Sequence, residues 1–222
     1  MYGKYKTLIN IIKIVRGNSL AEFAVVSALM ATLAATAAPK LSALSETAKA
    51  EKSKNELDKL LTQARTFYQK TQDKEGRGRF PGQEKFDRPV GNYGTQYISQ
   101  SQSLAIQTIL SNDLDNFTKY SSNLGAKWRS VFGISNLTAP LPPGAFIQDD
   151  IHYPTGAVGG SQEGTEEWLE LFGNSTLFST YQDGHFIYVV VPGGGSGDNS
   201  FPPVLYVADL ENPSDFHRIF EP

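Results

Sequence analysis

Residues 17–40, GNSLAEFAVVSALMATLAATAAPK, decide how the rest of the chain is read. Within them, residues 20–38 form an apolar run of 19 residues that carries one charge, Glu22. As a helix this run spans about 28 Å, close to the ~30 Å hydrocarbon core of a bilayer. Lys4, Lys6, Lys13 and Arg16 precede it, and no acid lies among them. That bias predicts a cytoplasmic N-terminus and an exported C-terminal part. A carboxylate at the edge of such a run is costly unless it is paired, and it is usually functional. The run offers it no cation.

Three readings of the segment compete. Ala35-Thr36-Ala37 has the small-x-small form of a secretory cleavage site, which would make the run a removable signal. A plain single-pass anchor is the second. Both leave Glu22 without a role. The third uses Gly17 at the end of the basic segment, Glu22 five residues beyond it, and Pro39 near the end of the run. This combination resembles the class III signal of the type IV pilin superfamily, which includes type IV pilins, type II secretion pseudopilins and the tight-adherence branch. The match covers about residues 13–70, with Asn18 standing where Phe is common.

The resemblance implies that a prepilin peptidase cuts between Gly17 and Asn18 and that the new amine of Asn18 is methylated. Residues 1–17 are then a cleaved leader, residues 18–71 a long helix whose first half is transmembrane or filament core, and residues 72–222 a globular head. Glu22 lies four residues from the new positive amine, one helical turn away on the same face. In a filament the amine can instead meet Glu22 of a neighbouring subunit, and only a correctly staggered neighbour satisfies both charges. Glu22 is therefore the expected assembly residue. Small residues four apart (Ala24 and Ala28, Ala31 and Ala35) would let packed helices approach closely. Pro39 removes a hydrogen bond and clashes with the preceding turn, so a kink is expected there, with simple helix termination as the alternative.

Beyond Pro39 the helical pattern resumes. Leu41, Leu44 and Ala48, then Leu57, Leu60, Leu61, Ala64, Phe67 and Tyr68, recur at steps of three and four. A helix over residues 19–71 is about 80 Å long. The Gly- and Pro-rich stretch from Gly76 to Gly94 reads as a loop with Arg77 and Arg79 solvated, and its glycines do not match a phosphate-binding loop. A second helix is expected over residues 99–122, and a short helix or core plug at Trp128, Val131 and Phe132. Residues 145–148, 185–191, 204–208 and 216–220 read as strands, with one or two helical turns at 166–172 and a turn at 181–184. The order gives an α+β fold: a long N-terminal helix packed against a head with a second helix and a C-terminal antiparallel sheet.

Chemistry is sparse. The chain has no cysteine, which removes disulfides, zinc-thiolate sites and thiol catalysis. His152, His185 and His217 are scattered, no nucleophile elbow occurs, and Asp149-Asp150 and Glu166-Glu167 lack the geometry of an acid–base pair. No catalytic residue and no enzymatic activity are expected. Without the leader's four bases, 16 of the 20 basic residues remain against 23 acids, a net charge of about −7. No nucleic-acid partner is expected. Some major pseudopilins bind calcium in a C-terminal loop, so the resemblance implies a candidate calcium site at Asp198, Asn199 and Asp209, with Glu211 nearby. A Gly-rich hairpin loop without a ligand is the alternative, and the loop's length also suits an inter-subunit surface. No other cofactor is expected.

The resemblance implies a structural subunit of a type IV pilus-like or type II secretion-like filament. Its partners would be identical or homologous subunits in a helical filament, the prepilin peptidase, an inner-membrane assembly platform and the lipid bilayer. It would be stored in the inner membrane with the head exported, then move into an extracellular filament or periplasmic pseudopilus. A single-pass anchored, exported binding domain unrelated to pili is the alternative.

Overall fold

The computed structural model describes residues 2–119, 122–125, 127–132, 161–177, 179, 180 and 186–222, and the side chains of all of these except 2–18, 122, 123 and 161–163. The helices are α1 (Tyr2–Glu75), α2 (Gln100–Asn116), α3 (Ser122–Gly125) and α4 (Ser161–Leu171). The strands are β1 (Arg129–Ser130), β2 (Phe186–Val191), β3 (Val204–Asp209) and β4 (His217–Phe220). They form one antiparallel sheet in the order β1-β2-β3-β4. The layout is the expected α+β arrangement of a long N-terminal helix and a C-terminal antiparallel sheet. The chain divides into two compact units, residues 1–48 and 49–222. The second half of α1 thus belongs to the head.

In the first unit α1 runs on through Gly17 and Pro39. The side chains of its apolar stretch point to solvent on every side: Phe23 is 72% exposed, Met30 66% and Leu44 66%. Thr32 and Thr36 turn their hydroxyls onto the carbonyls of Leu29 and of Thr32 and Leu33, at 2.9 to 3.0 Å. Such back-bonding keeps a hydroxyl satisfied where water is excluded.

In the second unit the sheet is buried on both faces. Every residue of β2 and β3 is buried. Because side chains alternate across a strand, this splits the core in two. Phe186, Tyr188, Val190, Leu205 and Val207 face Leu57, Leu60 and Ala64 of α1, Trp168 of α4, and Phe80 and Phe220. Ile187, Val189, Val191, Val204, Tyr206 and Ala208 face Leu110 and Leu114 of α2, with Phe117, Trp128 and Ile98. The head is therefore three layers, with α1 and α4 on one side of the sheet and α2 on the other.

Local sequence explains the boundaries. Ser99 caps α2 through a reciprocal pair with Gln102: its Oγ accepts from the Gln102 N–H at 3.3 Å and its own N–H reaches Gln102 Oε1 at 2.8 Å. The helix stops at Asn116, six residues before the expected end, because Phe117 leaves the helical path and becomes fully buried against Trp128. The strands at β2, β3 and β4 start or stop within one residue of expectation. The expected strand at 145–148 and the turn at 181–184 lie outside the described residues.

Two expectations are corrected. Trp128, Val131 and Phe132 are buried, as the core-plug alternative expects, but they flank a strand and form no helix: Arg129 and Ser130 pair with Tyr188 and Ile187, and the Val131 N–H donates to the Phe186 carbonyl at 2.9 Å. Val90 extends the same edge, exchanging two backbone bonds with Val190 at 3.0 and 3.1 Å. Arg79, read as solvated, is mostly buried. It donates to Glu167 at 2.7 Å, to the Gln83 carbonyl at 3.0 Å and to Glu75 at 3.2 Å. Arg77 likewise stacks on Phe86, 4.4 Å from the ring centre, and donates to the Gly195 carbonyl at 3.1 Å. The loop of residues 76–98 is thus pinned to the sheet. Gly82 and Gly164 meet over the Tyr188 hydroxyl, where a Cβ on either would collide with it, and Gly82 has φ +84°.

The two halves of α1 should respond differently to truncation. Leu60→Ala, at a fully buried position, is expected to lower the unfolding free energy of the head by about 2–5 kcal/mol. Leu44→Ala, at an exposed one, should shift it by less than about 0.5 kcal/mol. Denaturant titration of the detergent-solubilised chain followed by Trp fluorescence reads both.

Candidate functional site

The candidate site is the apolar helical unit around Glu22. Gly17, Asn18 and Glu22 all lie on α1, and the helix continues through the Gly17–Asn18 bond. Glycine inside a helix costs about 1 kcal/mol relative to alanine, which makes this the weakest point of the basic segment. Four residues of helix place the Asn18 backbone nitrogen and the Glu22 Cα about 6 Å apart along the axis. Glu22 itself is exposed on a helix whose neighbouring side chains are apolar. No hydrogen bond or ion pair reaches it among the described residues.

This helix is long and apolar enough to cross a membrane, by length and composition, and none of its apolar window is buried within the chain. A helix that is apolar all round requires an apolar surrounding, either lipid or other helices. What it can do chemically is limited to packing and to offering one carboxylate. Pro39 sits inside the helix and withholds an N–H from the Ala35 carbonyl.

The residues proposed for calcium are not brought together. Asp198 and Asn199 occupy an exposed 3-10 turn, Gly197–Asn199, that precedes β3, whereas Asp209 ends β3. Six residues of strand separate the two positions by about 17 Å. The loop between β2 and β3 is also less free than its glycines suggest. The Gly193 N–H donates to the Phe86 carbonyl at 2.9 Å, and Gly194 and Phe201 exchange two backbone bonds at 2.9 and 3.1 Å.

Asp209 has another partner set. It is fully buried, and its Oδ2 accepts from Ser53 of α1 at 2.7 Å and from Ser179. Its Oδ1 accepts from the Glu211 N–H at 3.1 Å. Next to Ser179, Thr180 donates to the Lys49 carbonyl at 2.9 Å. These bonds clip the start of the head's portion of α1 to the end of β3. No motif in the sequence announces this role. The only signal for it is an acid closing the otherwise apolar strand VLYVAD. His217 is part-buried, with Nδ1 2.9 Å from the Pro213 carbonyl, while His152, His185, Asp149 and Asp150 lie outside the described residues. Glu167 is committed to Arg79 and to the Gly82 N–H at 2.8 Å.

The fold and site thus define an α+β protein with one membrane-length apolar helix among the described residues and a three-layered head. No family model, curated protein or solved structure matches the chain.

Burial pushes the Asp209 carboxyl above its ordinary range, against the opposing effect of hydrogen bonds from Ser179, Ser53 and the Glu211 N–H. A raised folded-state pKa contributes stability that is complete below the unfolded value and is lost as pH rises through the folded one. Asp209→Asn cannot ionise and should gain on the wild type as pH rises from 4 to 7. Asp209→Ala leaves three donors without an acceptor and should cost about 1–3 kcal/mol or more at all these pH values. Thermal unfolding midpoints across this range separate the three proteins.

Proposed function

We propose that this chain is a structural subunit of a pilus-like or secretion-like filament of the type IV pilin superfamily. Its work is assembly, not catalysis. The observation that carries this reading is Glu22: the one charge in an apolar, outward-facing helix, five residues after Gly17 and behind a basic leader. Cleavage after Gly17 would create a positive amine at Asn18. At 4 Å, in surroundings with an effective dielectric constant of 20, an amine–carboxylate pair attracts by about 4 kcal/mol. That offsets the cost of holding either charge among apolar helices, and it rewards one stagger between neighbours.

In this reading the basic leader holds the N-terminus in the cytoplasm, the apolar helix waits in the inner membrane, and the head stands outside. Removal of the leader frees the helix to pack with identical or homologous subunits. Pro39, inside the helix, supplies a place to bend as the bundle forms. The head's surface then forms the exterior of an extracellular filament or a periplasmic pseudopilus.

The N-terminus of the protein isolated from its own membranes is the direct test. Mass spectrometry should find a chain beginning at N-methyl-Asn18. A start at Ala38 would instead identify a secretory signal, and an intact Met1 a plain anchored domain; either result overturns the proposal. Glu22→Ala provides a second check. The variant should insert into the membrane at wild-type levels, while filament recovery falls at least tenfold, the equivalent of about 1.4 kcal/mol per subunit contact. Filaments at wild-type yield would show that Glu22 sets no register.

A further inference from the structure

Three Asn-x-Thr triplets occur in the chain: Asn116-Phe117-Thr118, Asn136-Leu137-Thr138 and Asn174-Ser175-Thr176. With 11 asparagines and 15 threonines in 222 residues, fewer than one such triplet arises by chance. The 19 serines give no Asn-x-Ser except one interrupted by Pro213. All three triplets follow the apolar run, on the side that the charge bias exports. Asn-x-Thr without proline at the centre is the acceptor pattern for an N-linked glycan, and it belongs on surface loops of exported proteins.

The structure separates two of these triplets sharply. Asn174 stands at the tip of the turn that follows α4, where Gly173 and Asn174 both have φ +61°. Asparagine tolerates that left-handed backbone better than most residues. The turn is held by its backbone, with the Asn174 N–H on the Leu169 carbonyl at 2.8 Å and the Ser175 N–H on the Phe172 carbonyl at 3.1 Å. Asn174 and Ser175 are exposed, and residues 175–177 belong to no helix or strand. The Asn174 carboxamide makes no hydrogen bond among the described residues. Asn116 differs on each point. It is the last residue of α2, its Nδ2 donates to the Asn112 carbonyl at 2.8 Å, and the Phe117 that follows is fully buried in the core. Presenting that triplet to an enzyme would require pulling Phe117 out. Asn136 lies outside the described residues.

We propose that Asn174 is an acceptor for an N-linked glycan on the exported head, and that Asn116 stays unmodified in the folded protein. The inference rests on the reading above that residues beyond the apolar helix are exported. The donor is a lipid-diphosphate-linked oligosaccharide. A bond forms between Asn174 Nδ2 and the anomeric carbon, the bond from that carbon to the diphosphate oxygen breaks, and the lipid diphosphate leaves with the electron pair. Nδ2 gives up one proton to a base of the transferase. Thr176 supplies the hydroxyl that completes the recognised triplet.

Glycopeptide mass spectrometry of the full-length protein, taken from membranes of cells that naturally make it, tests this. The peptide containing Asn174 should carry a sugar mass and release sugar fragment ions, and the peptide containing Asn116 should not. Asn174→Gln should abolish the added mass. Thr176→Ala should abolish it too while leaving the turn residue Asn174 in place. A bare Asn174 in the wild type overturns the proposal, as does a sugar that persists in Thr176→Ala. The same digest reports the N-terminal peptide and distinguishes the two failures. A chain starting at Asn18 with a bare Asn174 removes only the glycan, whereas a head that protease cannot reach even when the outer envelope is permeabilised and the inner membrane is left sealed removes the export reading beneath it.

Discussion

Burial of both faces of β2 is the constraint on which the head depends. The strand FIYVVV has no polar side to give to water, and β3 beside it has none until Asp209. A sheet of this kind is stable only with a cover on each face. The stripe of Leu57, Leu60 and Ala64 on α1 is one cover, and Leu110 and Leu114 on α2 are the other. The long loop of residues 76–98 follows from the same need. It carries the chain from one side of the sheet to the other and pairs Val90 with the β1-side edge on the way.

Polar groups inside this sandwich act as positional clips. Ser53 on Asp209, Arg79 on Glu167 and Arg218 on Asp58 at 2.6 Å each tie a different point of the head's helices and loops to its framework. Charges held away from water add little net stability compared with apolar packing, but each penalises a shifted arrangement that would leave it unpaired. The outermost pair, Arg218 with Asp58, is half exposed and is worth the least. The deepest, at Asp209, has both carboxylate oxygens accepting from protein donors, and through Ser53 it ties α1 to the end of β3.

The apolar unit obeys the opposite logic. Residues 19–48 are all exposed, and Glu22 has no partner among the described residues. A surface of this kind is stable only in an apolar surrounding. The head, in contrast, buries its apolar strands in two cores of its own, and the clips named above are internal to it. One chain therefore combines a domain with its own buried cores and a helix whose apolar side chains have no cover within the chain.

Sequence alone determined the elements whose signal is local. The apolar run, the stripe at steps of three and four, the start of the second helix and the Val-rich strands each carry their pattern within a few residues, and each lies where expected to within a residue or a turn. Glu22 was legible for the same reason, as a charge out of place in its own window. The tertiary structure decided what depends on partners distant in sequence. Whether Trp128 to Phe132 forms a helix or a strand turns on pairing with β2, some 57 residues on. Whether Arg79 is solvated turns on Glu167, 88 residues away. That Asp209 accepts from a serine of α1 turns on Ser53, 156 residues back. Periodicity and propensity report the conformation that a segment prefers, whereas the fate of a polar group is set by whichever group folding brings beside it.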